Sequence, residues 1–157
     1  MSIALQIYEI AKEVGAVIAT AESCTGGQVA ASLTDVTGSS AIFDRGFVTY
    51  SNDAKMQMLG VCREDLDQYG AVSQQVAQAM ATGALTHSNA NLSVSITGIA
   101  GPGGSDFKPE GRVCFGLAQV NEPAFSETVE FGPLGRIHIR RVARDHALAL
   151  LLSRLKN

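Results

Sequence analysis

The sequence predicts an α/β fold, a three-layer α/β/α sandwich around a mixed, mostly parallel five-stranded sheet. Three observations lead there. Short apolar runs alternate with helical patterns from residue 3 to residue 97, the rhythm of strands joined by helical crossovers. The last two strand patterns are separated only by Asn121-Glu122-Pro123, too short for a crossover, so they close as a hairpin and make the sheet mixed. A chain of 157 residues, 46% hydrophobic, suits one domain over residues 1–157 with a full core.

Taken in order, Ile3 to Val14 carries Leu5, Ile7, Ile10, Ala11 and Val14 at helical spacing, and Gly15 stops it. Ala16 to Thr20 is the first strand, apolar enough to be central. Ala21 to Gly27 is a turn, and a helix leaves it over Gln28 to Leu33. Val36 to Ser40 is a loop, Ile42 to Ser51 the second strand, and Asn52-Asp53 starts a helix that Gly60 ends. Arg63 to Tyr69 is a short helix. Gly70 to Ser73 is a turn whose Ser73 caps the helix Gln74 to Thr86. Leu92 to Thr97 is the third strand. Gly98 to Gly111 is too long and too rich in glycine and proline for a bare connector, and reads as a functional loop. Val113 to Val120 and Phe125 to Phe131 are the last strands, and Ile137 to Leu155 is a closing helix. No internal repeat or low-complexity segment interrupts this order.

The bulk properties exclude several classes. A net charge of −3 does not favour a nucleic-acid partner. No apolar run is long enough to span a bilayer, so no membrane partner is expected. The N-terminus lacks the basic and apolar regions of a signal peptide. Cys24, Cys62 and Cys114 are odd in number and widely spaced, which argues against disulfides and zinc and for a reducing cytoplasm. His87, His138 and His146 show no ligand spacing with them and read as surface or core residues.

Chemistry concentrates in three loops that follow the first three strands. If those strands are parallel, the loops share one rim, where α/β sheets bind ligands. The turn Ala21-Glu22-Ser23-Cys24-Thr25-Gly26-Gly27 joins a strand to a helix. Its Ser and Thr read either as helix caps or as groups exposed beside a helix N-terminus, whose unpaired N–H groups favour negative charge. A serine nucleophile needs a base, and no histidine lies in these loops. Lys55 is the candidate, giving a Ser-Lys arrangement. A free lysine is charged at neutral pH, so burial and the helix N-terminus would have to lower its pKa. Tyr50 could orient that amine or relay a proton. Cys24 is a rival nucleophile, because helix N-termini favour thiolates.

Gly98-Ile99-Ala100-Gly101-Pro102-Gly103-Gly104-Ser105 has phosphate-loop spacing, but Gly104 stands where the lysine belongs and a strand follows, so it is not an ATPase loop. A backbone anion nest remains open. Arg136, Arg140, Arg141 and Arg144 cluster at the start of the last helix, with Arg136 and Arg140 on one face. They form either a solvated basic face or a clamp for an anion.

Together Ala21–Gly27, Val48-Thr49-Tyr50-Ser51-Asn52 with Lys55, Gly70-Ala71-Val72-Ser73 and Thr97–Gly104 resemble the CinA C-terminal domain family, in order and over nearly the whole chain. The resemblance implies nicotinamide-nucleotide amidase activity: hydrolysis of the carboxamide of nicotinamide mononucleotide to nicotinate mononucleotide and ammonia, as in pyridine-nucleotide salvage. It implies Ser23 as nucleophile, Lys55 as base with Tyr50 beside it, no metal or other cofactor, and a homodimer. The substrate contacts expected are Thr25, Gly26, Gly27, Ser39, Thr97, Gly98, Gly101 and Arg141. Two departures stand out. The chain has Lys108-Pro109-Glu110-Gly111 where the family usually reads Lys-Pro-Val-Gly, and Leu134-Gly135-Arg136 where it often reads Gly-Asp-Arg. A nucleotide-sensing domain that binds without turnover, and an amidase using Cys24, are the alternatives.

Overall fold

In the computed structural model, which describes residues 1–105 and 107–157, Ser2 accepts a hydrogen bond from Leu5 N and starts helix α1, Ile3–Val14. Gly15 ends it in a left-handed conformation. Strand β1 spans Ile18–Glu22 and helix α2 Gln28–Thr34. A single 3-10 turn, Ser39–Ala41, leads into β2, Phe43–Val48. Helices α3 (Asn52–Leu59), α4 (Arg63–Tyr69) and α5 (Gln74–Thr86) follow in succession. Strand β3 is Leu92–Gly98, β4 Arg112–Gln119 and β5 Phe125–Glu130, and helix α6, Arg136–Lys156, closes the chain.

The sheet order is β2-β1-β3-β4-β5. β1 pairs in parallel with β2 and with β3, whereas β4 is antiparallel to β3 and to β5. Four strands therefore run one way and β4 the other, so the expected mixed, mostly parallel sheet and three-layer architecture are found.

Helices α1, α2 and α6 cover one face, burying Ile7, Val29, Leu33, Ile139 and Leu151 against Ile18, Val94, Ile96 and Phe115. Helices α3, α4 and α5 cover the other, burying Leu59, Leu66, Val76 and Met80 against Ala19, Ala21 and Phe47. Each such side chain contributes about 1.5–3 kcal/mol on full burial. Ser93 and Ser95 of β3 are also fully buried. Their hydroxyls donate to Ala81 O (2.6 Å) and Ala77 O (2.5 Å), one turn apart on α5. Gly116, paired with Ser95, leaves the room, because a Cβ there would collide with Ala77 O.

The largest departures from the sequence expectation are in β1, which starts at Ile18, and β2, while the other strands shift by one residue. β1 runs two residues further, to Glu22, because that carboxylate is buried among hydrogen-bond donors. β2 stops at Val48, and Ser51 is released to cap α3.

Candidate active site

Because β1, β2 and β3 are parallel, their carboxyl ends open on one rim. Along β1 the side chains alternate, and the alternation continues past its end. Ile18 and Cys24 pack with the α1/α2/α6 layer, and Ala19 and Ala21 with the α3/α4/α5 layer. Ser23 shares the phase of Ala19 and Ala21. Its N–H still donates to Ile96 O at 2.9 Å, so the ladder with β3 fixes its backbone.

On that side Ser23 meets Lys55. Ser51 accepts a hydrogen bond from Ala54 N and starts α3, which places Lys55 in its first turn. Lys55 is 1% exposed. Its Nζ lies 3.2 Å from Ser23 Oγ and 3.0 Å from Thr49 O. Among the described residues no carboxylate pairs with it. Burial pulls its pKa below the ordinary lysine value, because the charged form loses its solvation.

The turn itself is organised by Glu22, a residue the sequence reading passed over. Its fully buried carboxylate accepts from Thr25 Oγ1 (2.6 Å), Gly27 N (3.2 Å), Val29 N (3.0 Å) and Ala30 N (3.0 Å). Glu22 therefore saturates the start of α2, and neither Ser23 nor Thr25 caps it; the N-cap position is Gly27. Thr25 has spent its hydroxyl on Glu22, and Gly26 and Gly27 supply left-handed turns at φ 59° and 105°. Gly26 N donates to Ser23 O at 3.1 Å. Among the described residues, the amides of Cys24 and Thr25 are left without an acceptor. The Cys24 side chain is buried, and burial pushes its thiol up to about 12, outweighing the lowering by Arg140 and Lys55. It is a core residue and a poor nucleophile, contrary to the alternative drawn from the helix N-terminus.

Tyr50 is 59% exposed, and its hydroxyl accepts from Arg136 Nη2 at 2.6 Å. The Lys55 amine is held by Thr49 O and Ser23 instead, so Tyr50 lies on the rim and does not orient it. Arg136 Nη1 also donates to Gly101 O at 2.7 Å, joining the second loop to the third. Thr97 is buried, with its hydroxyl donated to Ala71 O at 2.8 Å, so it ties β3 to the Gly70–Ser73 turn. Lys108 pins the same turn through Tyr69 O (2.7 Å) and Val72 O (2.6 Å). Gly98 is required by backbone packing, because a Cβ there would crowd Val113 and Arg112 O. Gly101 has φ 87° and faces Glu110, which accepts from Gly103 N at 2.6 Å and Gly135 N at 3.3 Å. The carboxylate that departs from the family pattern thus takes up one amide of the glycine loop and one at the start of α6. Asp106, in this loop, lies outside the described residues.

Two expected contacts are displaced. Ser39 precedes β2, whose Phe43 pairs with Ile18, whereas Ser23 follows the other end of β1. Ser39 is therefore at the opposite end of the strands, because α2 must cross the full height of the sheet before a parallel β2 begins. Arg141 is exposed and makes no side-chain hydrogen bond among the described residues. The arginines at the rim are Arg136 and Arg140, four residues apart on one helix face. Arg140 donates to Cys24 O at 3.0 Å and to Thr25 O at 3.4 Å. Their spacing was the signal available in the sequence; for Glu22 it was an acid placed just ahead of a helix.

Comparison with known proteins agrees with this geometry. The family model described as the CinA C-terminal domain matches residues 1–155. The nicotinamide-nucleotide amidohydrolase PncC of Escherichia coli (strain K12) is 49% identical over 152 residues, covering 96% of this chain and 92% of that protein. A CinA-like protein of Chloroherpeton thalassium is 50% identical over 129 residues, covering 80% of this chain and 31% of that protein. The crystal structure of the competence/damage inducible protein CihA from Agrobacterium tumefaciens superposes with a TM-score of 0.94 at 47% identity, over 99% of this chain and 94% of that one.

Proposed function

The chain belongs to the CinA C-terminal domain family, and from that premise we propose that it is an amidohydrolase acting on the carboxamide of a nicotinamide nucleotide. The observation that carries the mechanism is the contact of 3.2 Å between the buried Lys55 amine and the Ser23 hydroxyl. Neutral Lys55 accepts the Ser23 proton as Oγ attacks the carboxamide carbon. The Cys24 and Thr25 amides receive the oxyanion; the first follows the nucleophile directly in sequence, and neither is used by the fold. The intermediate collapses, and the proton held by Lys55 leaves with ammonia. Water, deprotonated by the same amine, then opens the acyl-serine to the carboxylate. Arg136, exposed between the second and third loops, is the arginine placed to meet the nucleotide's phosphate, in place of Arg141.

The test is ammonia release from nicotinamide mononucleotide, wild type beside Ser23→Ala, with a chelator present. Release by the wild type and a loss of at least about 10³-fold in Ser23→Ala are expected. Binding without release by well-folded wild type would replace this reading with that of a nucleotide sensor.

A further inference from the structure

Arg140 reaches the nucleophile turn from α6, on the face of the sheet opposite Lys55. Its guanidinium is half-buried and donates to two successive carbonyls, Cys24 O through Nε at 3.0 Å and Thr25 O through Nη2 at 3.4 Å. In a trans peptide the N–H and C=O point in opposite directions. Holding the Cys24 carbonyl toward α6 therefore turns the Thr25 N–H toward the α3/α4/α5 layer, where Ser23 and Lys55 meet. The preceding peptide is held separately, within the turn. Ser23 O accepts from Gly26 N, which leaves the Cys24 N–H facing away from that bond. Gly26, at φ 59°, eases the approach, since a Cβ there would stand 3.1 Å from Arg140 Nη2 and push it back slightly.

We propose that Arg140 is a positioning residue for the reaction, holding the Cys24–Thr25 peptide so that the Thr25 amide is aimed at the developing oxyanion. The inference rests on the amidohydrolase reading above. It separates the two arginines of one helix face: Arg136 faces the nucleotide, and Arg140 acts on the transition state through the backbone. A cationic donor on a carbonyl also polarises the peptide and strengthens its N–H as a donor.

Arg140→Ala and Arg140→Gln are compared with wild type on nicotinamide mononucleotide, with thermal unfolding recorded for each. α6 is anchored by Ile139, Ala143, Ala147, Leu148 and Leu151, so both variants should fold. The expected result is a fall in kcat of about 10²-fold in Arg140→Ala, in the range for loss of one oxyanion donor, with KM within about threefold. The fall in Arg140→Gln should be smaller, because one donor remains. Millimolar guanidinium should restore part of kcat in Arg140→Ala and leave KM unchanged, which a merely structural role would not show. A tenfold or larger rise in KM with kcat retained would overturn the inference and make Arg140 an anion clamp. So would a kcat within twofold of wild type. A wild type that releases no ammonia would instead remove the amidohydrolase reading itself.

Discussion

At Lys55 the aliphatic stem is buried and the amine touches two oxygens, Ser23 Oγ and Thr49 O, neither of which carries a formal charge. A lysine placed for stability would pair with a carboxylate or reach solvent. The linkage has a definite sign. The folded pKa lies below the unfolded one, so between the two values the unfolded chain holds a proton that the folded chain has shed. Stability therefore rises with pH across that window, and below the folded pKa the cost of the buried charge is fully present. Lys55→Met keeps the stem and removes the amine. Its melting temperature should exceed that of wild type near neutral pH by about 3 °C, the shift that about 1 kcal/mol gives in a domain of this size. The gain should shrink as pH approaches the ordinary lysine value. Thermal unfolding of the two proteins from neutral to alkaline pH checks this, and a variant less stable than wild type at every pH would contradict it.

The element on which the rest depends is the joint between β1 and α2. An ordinary helix start is capped by the side chain of its own N-cap residue; here the N-cap is a glycine and the acceptor comes from the preceding strand. Glu22→Gln would turn an amide NH2 toward backbone donors that now meet carboxylate oxygens. The expected loss is about 2 kcal/mol, read as a lower urea midpoint with unchanged slope. A variant unfolding at the wild-type midpoint would show that the carboxylate is replaceable. The same joint marks where the sequence was legible and where it was not. The helix from Gln28, the starts of α3 and α5 and the closing helix were readable from caps, glycines and spacing. Glu22 was visible only as an acid ahead of a helix; that four donors converge on it follows from the folded turn. The sequence assigns Ser93 and Ser95 to a strand but not to a layer, and the packing of α5 shows that both are dry.

Across the whole molecule, topology assembles the site. Ser23 and Lys55 are 32 residues apart and meet because β2 lies beside β1 in parallel and α3 starts at its carboxyl end. That pairing was readable from the motifs, and the crossover pattern supplies the reason. The substrate contacts were less legible. Ser39 has a hydroxyl at a loop but sits at the wrong end of the sheet, a consequence of strand direction. Arg141 lies in the arginine cluster but is exposed, away from the helix face whose Arg136 and Arg140 touch the rim loops. Thr97 is on the right strand, yet its hydroxyl is consumed by a turn that approaches from 26 residues away. Side-chain alternation separates Cys24 from Ser23, sending the thiol into the core and the hydroxyl to Lys55.

The most direct test of this account is the kcat/KM for ammonia release from nicotinamide mononucleotide by folded Lys55→Met, set beside wild type. The expected result is a loss of at least about 10³-fold while the mononucleotide still binds, because the base is gone and the pocket remains. Turnover at the wild-type rate would remove the lysine from the mechanism and with it the pairing on which the site is built.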